Sequence, residues 1–119
     1  MARFQDLQVW QRAKDLAVSI YQLTNEGAFN RDFGLRDQAR RAAVSIASNI
    51  AEGHDRGTNK DSVRFFYMAK GSAAELRTQL IIAKEIAYLK EDEHSALGEQ
   101  CDAISRMLGS LIKVRSANL

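Results

Sequence analysis

Two histidines, one cysteine and a group of arginines are the residues here whose types and spacing could do chemistry. Glu91-x-x-His94 has the spacing of carboxylate bundles, in which two such motifs and two further glutamates hold a pair of irons. It occurs once, at the start of a helical segment, and the only other histidine, His54, lies beside a glycine turn. A structural zinc site takes four Cys or His ligands, which Cys101, His54 and His94 do not supply. Ser45 and Ser48 have no histidine at helical spacing to serve as their base. The expectation is therefore a non-enzymatic protein with no catalytic residue, no metal and no cofactor.

The arginines point to another chemistry. Arg36, Arg40 and Arg41, joined by Arg56, Lys60 and Arg64 around a later turn, are the nucleic-acid-binding candidates. The planar guanidinium offers phosphate two parallel donors. The competing reading is solvated ion pairing: Asp37 precedes Arg40 and Arg41 by three and four residues, the favourable helical order. Asp55 and Asp61 interleave the second group in the same way. No aromatic-rich stacking platform and no glycine-rich phosphate loop adds to the case.

These residues must be positioned by the stretch Leu35 to Gly53, LRDQARRAAVSIASNIAEG. Stepped at about 100° per residue, it puts Leu35, Ala39, Ala42, Ile46 and Ile50 on one face. Gln38, Ser45, Asn49 and Glu52 form a polar seam along one edge, while Val44, Ala47 and Ala51 lie on the other side. The second half is apolar or small nearly all round, the pattern of a buried helix. In a small bundle that burial requires a second subunit, so an oligomer is expected.

Three more helices follow from the same periodicity. The first, about residues 6–24, carries Val9, Ala13, Leu16 and Ile20, with Asp6 as its cap. Asn25 to Gly34 reads as a connection whose Phe29 and Phe33 fold back onto the bundle end. The central helix, 35–52, stops at Gly53. Thr58 caps the third helix, about 59–89, whose seam runs Phe66, Ala69, Ala73, Leu76, Leu80, Ala83 and Ala87. Phe65, Met68, Ile82 and Ile86 to one side, and Val63, Tyr67, Ala74 and Ile81 to the other, exceed what three sister helices cover. Gly71, which costs about 1 kcal/mol mid-helix, implies close approach of another helix. The fourth, 92–115, has Leu97, Cys101, Ile104, Leu108 and Leu111. Short connections make this one domain, an all-α, antiparallel, up-down-up-down four-helix bundle.

The whole chain agrees with that reading. Its 119 residues are 45% hydrophobic and 27% charged, without a proline to interrupt helices, and form a single globular domain. A lone cysteine excludes an internal disulfide and fits a reducing cytosol. The opening MARFQDLQVW lacks the apolar core of a signal peptide, and the longest apolar run, Phe65 to Ala69, is far short of a membrane span. A soluble cytoplasmic protein is expected. Net charge is only +2, with the basic excess in the first three helices.

Several blocks carry a resemblance. They are Phe4-x-x-Leu7-x-Val9-Trp10, Gly34-Leu35, Arg40-Arg41-Ala42-Ala43-Val44-Ser45-Ile46, Ser48-Asn49-Ile50-Ala51-Glu52-Gly53, Arg64-Phe65 and Gly71-Ser72-Ala73-x-Glu75-Leu76. In this order they closely resemble the "four helix bundle protein" family, which includes proteins encoded by intervening sequences within bacterial 23S ribosomal RNA genes. The resemblance extends from Phe4 to about Lys113. It implies a left-handed bundle assembled as a homopentameric ring. It also implies kinship with accessory variability proteins of diversity-generating retroelements, basic pentamers that bind nucleic acid and a reverse transcriptase. Asn49, Glu52, Ser72 and Glu75 lie in these blocks and read as a structural polar seam fixing register, since the family motif brings no catalytic role. The functional expectation is a homo-oligomer that binds RNA or DNA weakly and without sequence preference through a repeated basic surface. The alternative is a scaffold that docks a partner protein, for example a reverse transcriptase, through the ring.

Overall fold

Long proline-free stretches with apolar residues three and four apart become four long helices in the computed structural model, which describes residues 2–119. A 3₁₀ turn at Phe4–Asp6 leads into α1 (Gln8–Leu23). A short α2 (Gly27–Arg31), α3 (Phe33–Asp55), α4 (Asn59–Glu85) and α5 (Glu91–Ser116) follow, with no strand among the described residues. The 27 residues of α4 span about 40 Å, and the molecule measures 46 × 21 × 18 Å.

α1 packs on α3, α3 on α4, α4 on α5, and α5 returns to α1 along the thinnest seam. Cross-helix pairs give the directions. Along α3 and α4 they run Arg41–Glu75, Ser45–Ser72 and Gly53–Ser62, numbers rising in one helix as they fall in the other. Lys84–Glu91, Arg77–Asp102 and Asn59–Arg115 do the same between α4 and α5. Arg40–Thr24 and His54–Ala2 do so between α3 and the N-terminal segment. Neighbouring helices are thus antiparallel. Their stripes meet in one core, where Leu16, Ile20, Ile46, Phe66, Leu76 and Leu108 are fully buried. Ala39, Ala42 and Ala43 on α3 face that core together with Ala69 and Ala73 on α4, small enough to let the two backbones approach closely.

Helix ends depart most from the sequence reading. Asp6 does not cap α1: its carboxylate accepts from the Arg3 N–H at 3.3 Å and closes the 3₁₀ turn, leaving Leu7 at the α1 N-cap. The 25–34 connection contains α2, and of its aromatics Phe29 is buried whereas Phe33 is 65% exposed. α3 starts earlier than Leu35 because Asp32 caps it, Oδ1 accepting from the Leu35 N–H at 3.1 Å. Nor does Gly53 stop α3, which continues through Asp55. Gly53 is needed for room: a Cβ there would stand 2.6 Å from Phe66 Cε1 and 3.1 Å from the Ser62 carbonyl oxygen. Ser62 Oγ uses the same closeness to donate to the Gly53 carbonyl at 2.6 Å. A Cβ on Gly71 would meet nothing within 4 Å, so no helix of the same chain approaches it. On α5, Ile112 is buried and Leu111 lies at the margin.

α4 ends at Glu85, not Leu89, and Ala87 leaves the seam to become the left-handed residue of the stop. Its φ is 65°, with the Tyr88 N–H bonded to the Ala83 carbonyl at 2.8 Å and the Ala87 N–H to that of Lys84 at 3.0 Å. These bonds form a Schellman stop, a position where glycine is usual. An L-residue is strained in that conformation by about 1–2 kcal/mol. Ala87→Gly is therefore expected to raise stability by about 1 kcal/mol, after the greater chain entropy of glycine is subtracted. Urea denaturation at fixed protomer concentration measures it, and an unchanged or lower midpoint would contradict it.

Candidate nucleic-acid interface

The six basic residues singled out in the sequence do not form one surface. Arg36 and Arg40 stand near the start of α3 and Arg56 just past its end, about 30 Å apart along a helix of 1.5 Å rise. The first pair is committed locally. Arg36 Nη1 donates to the Asn30 carbonyl and to Asn30 Oδ1, each at 3.1 Å, and its Nε donates to Asp37 at 3.0 Å. It thereby satisfies a carbonyl near the end of α2. Arg40 Nε donates to Thr24 Oγ1 at 2.8 Å, while that buried hydroxyl donates to the Ile20 carbonyl at 2.6 Å. The two guanidiniums also lie over Phe33 and Tyr21, 4.7 and 4.8 Å from the ring centroids. Both arginines hold the corner of α1, α2 and α3. Arg41 is exposed and faces Glu75 at 3.6 Å.

The second group has more freedom. Arg56, Lys60 and Arg64 are exposed around the turn between α3 and α4. Arg56 reaches Glu52 at 3.1 Å, whereas Lys60 and Arg64 have no carboxylate within ion-pair distance among the described residues. Between them lies Phe65, with the Arg56 Cζ 4.4 Å and the Arg64 Cζ 4.9 Å from its ring centroid. Arg3, Lys113 and Arg115 belong to the same end of the bundle, where the acidic side chains among the described residues are Asp6, Glu52, Asp55 and Asp61. The opposite end gathers Glu26, Asp32, Asp37, Glu85, Glu91, Asp92 and Glu93 against Arg31, Arg36, Lys84 and Lys90. The bundle is thus electrically polar along its length, and the basic end is the one at the α3–α4 turn.

The polar seam divides into two layers. Ser72 Oγ donates to Ser45 Oγ at 2.9 Å, and Asn49 Nδ2 donates to the carbonyl and Oγ of Ser45 at 2.9 and 3.0 Å. These three make a satisfied link between α3 and α4, with Ser45 at its hub. Glu52 and Glu75 lie outside it, exposed, paired with Arg56 and Arg41. Gln79 extends the inner layer, buried, with Oε1 lacking a partner among the described residues.

The residues with catalytic or metal-binding chemistry are engaged elsewhere. Glu91 pairs with Lys84 at 2.6 Å, and that hydrogen bond holds its carboxyl below the usual range. His94 Nε2 accepts from Arg77 Nη1 at 3.2 Å, and Arg77 Nε donates to Asp102 at 3.3 Å. The guanidinium lies flat over Gly98, where a Cβ would stand 2.6 Å from Nη1. Burial pushes the Cys101 thiol up to about 12, leaving it protonated and unreactive. His54 Nε2 lies 2.8 Å from the Ala2 carbonyl and serves the chain end. No group of three or more His, Cys, Asp or Glu is placed to hold a metal ion among the described residues.

Two features were not foreseen in the sequence. One is the placing of Arg56 and Arg64 over Phe65, because Phe65 reads as apolar filling until the turn folds Arg56 back over it. The other is the α1 side of an open apolar groove of about 560 Å³: Val44, Ala47 and Ala51 of α3 are the apolar face expected from the sequence, and α1 adds Trp10, Ala17 and Tyr21. Its Val18, Tyr21 and Val44 are 49%, 46% and 42% exposed. On α4, Tyr67, Met68, Ile81, Ile82 and Ile86 form a second exposed apolar face. None of the described helices is long and apolar enough to cross a membrane.

Comparison with curated proteins finds no match. Among solved structures, the chain is similar to a protein of unknown function from the S23 ribosomal protein family of Bacteroides thetaiotaomicron. The TM-score is 0.82 at 24% identity over 88% of this chain and 98% of that one, a likeness of fold. The family model described as 23S rRNA-intervening sequence protein matches residues 5–110, from before α1 to within α5. With that match over nearly its whole length, the chain belongs to the 23S rRNA-intervening sequence protein family.

Proposed function

We propose that this chain is a non-enzymatic, cytoplasmic homo-oligomer that binds RNA or DNA weakly and without sequence preference through the cations of its α3–α4 end. The observation that carries this reading is the pair Lys60 and Arg64, exposed without a carboxylate partner, one helical turn apart and beside Arg56. Unpaired cations that keep their side chains free gain most from a phosphate, whose binding releases condensed counterions. The two exposed apolar faces support self-association, since α3 and α4 leave Val44, Tyr67 and Ile82 to water in a single chain. A closed ring, a pentamer by family resemblance, would repeat the basic end once per subunit and multiply a weak grip.

Fluorescence anisotropy of a labelled uridine oligomer, titrated across ionic strengths, tests this. Affinity is expected to fall steeply with salt. The Arg56→Ala, Lys60→Ala, Arg64→Ala triple variant should flatten log K against log salt by about 0.7 for each phosphate it no longer neutralises. Arg36→Ala and Arg40→Ala should instead lower stability while leaving that slope unchanged. If neither RNA nor DNA is retained at low salt, the second reading takes over. That reading is a scaffold docking a partner protein, such as a reverse transcriptase, through the ring.

A further inference from the structure

We infer that Phe65, with the guanidinium groups of Arg56 and Arg64 against its ring, is a stacking platform for an unpaired nucleobase. The basic end of the bundle then takes single-stranded RNA or DNA in preference to a duplex. This rests on the proposed nucleic-acid binding and specifies its substrate class. Phe65 is half-buried on the second turn of α4, and its two arginine neighbours are exposed. Both cations lie within the distance at which a ring quadrupole attracts a charge. Their Cζ atoms can therefore be no further apart than about 9 Å, the sum of the two centroid distances.

Two positive groups that close repel one another, and among the described residues only Arg56 has a carboxylate, Glu52, to offset it. Lys60, one turn before Arg64 on the same helix, adds a third positive charge to this surface. An anion is what this arrangement lacks, and a nucleotide brings one attached to a flat aromatic body. The phosphate answers Arg64 and Lys60. The base lies on a guanidinium plane that Phe65 backs, since guanidinium is weakly hydrated and stacks on aromatic faces. In a duplex each base is already stacked between its neighbours, and the deep, narrow A-form groove keeps side chains from it. Only a base outside a helix can reach Phe65, and stacking of this kind tolerates any base.

The test compares a labelled twelve-nucleotide uridine oligomer, its thymidine counterpart and a twelve-base-pair RNA duplex at low salt, using full-length protein. Both single strands are expected to bind more tightly than the duplex. Phe65→Leu, which keeps apolar volume and removes the π face, should weaken single-strand binding roughly tenfold, the scale of one base–aromatic stack, with duplex binding unchanged. Phe65→Trp should preserve single-strand binding and add a fluorescence signal quenched by the oligomer. Circular dichroism of each variant checks that the helices remain. If single strands bind and neither Phe65 variant changes their affinity or emission, the platform is wrong while the basic end stands. A duplex bound as tightly as a single strand would also overturn it. If the wild-type chain binds no strand at all, the underlying nucleic-acid reading fails first.

Discussion

Replacing Phe66 with alanine should lower the stability of the bundle by about 3–5 kcal/mol, the usual cost of emptying a fully buried aromatic site. Its ring lies against Gly53, and a Cβ on Gly53 would stand 2.6 Å from Phe66 Cε1. Gly53→Ala alone is therefore expected to overpack the contact by about 1–3 kcal/mol, offset by the roughly 1 kcal/mol that alanine contributes to a helix interior. In the double variant the new methyl enters space that the ring has vacated. The two effects should then be non-additive, the pair being more stable than their sum implies by about 1 kcal/mol or more. Rescue is incomplete because the Ser62 carbonyl, 3.1 Å from the same position, does not move away with the ring. Chemical denaturation of the four proteins at one protomer concentration measures the cycle. Simple additivity would mean that Gly53 is present for some other reason.

Val44→Asp should convert the assembly into single chains. In an isolated copy this residue is 42% exposed on the outer face of α3, and a surface substitution there changes stability by no more than about 0.5 kcal/mol. In an assembly that covers the α1–α3 groove, the new carboxylate loses water without gaining a partner, a penalty of several kcal/mol. About 2.7 kcal/mol already weakens association a hundredfold. Sedimentation at micromolar concentration should then show the wild type at a multiple of 13.3 kDa and the variant near 13.3 kDa with its helicity intact. A wild-type chain that sediments as a folded 13.3 kDa monomer refutes self-association, and the multivalent grip on phosphate goes with it.

Core positions were readable from the sequence because helical periodicity is a local property. Val9, Ala13, Leu16 and Ile20 on α1, and Phe66 through Ala83 on α4, fall on their stripes and are buried. The Thr58 cap, accepting from the Asp61 N–H at 3.2 Å, was legible for the same reason. Asp32 could have been found in this way too, three residues before Leu35, but its second bond could not. Its Oδ2 accepts from the Tyr88 hydroxyl at 3.0 Å, a partner 56 residues away, and this bond raises the tyrosine above its ordinary range.

The arginines show the limit most clearly. Arg36, Arg40, Arg56 and Arg64 are the same residue type on the same kind of surface in the sequence. The fold places Asn30 and Thr24 beside the first two and leaves Arg64 without a counter-charge. How much of a guanidinium's hydrogen-bonding capacity its own chain takes up depends on acceptors within about 3 Å, and for Arg40 that acceptor is brought in by another helix.

What the sequence determined by itself was the set of long helices, the faces they bury and the family to which they belong. All three follow from residue order along one strand of chain. The tertiary structure decided which cations stay available and which glycine a close contact requires. Each of those is fixed by an atom contributed from a distant part of the chain: the Phe66 ring that requires Gly53, the Thr24 hydroxyl that takes Arg40, the turn that returns Arg56 to Phe65.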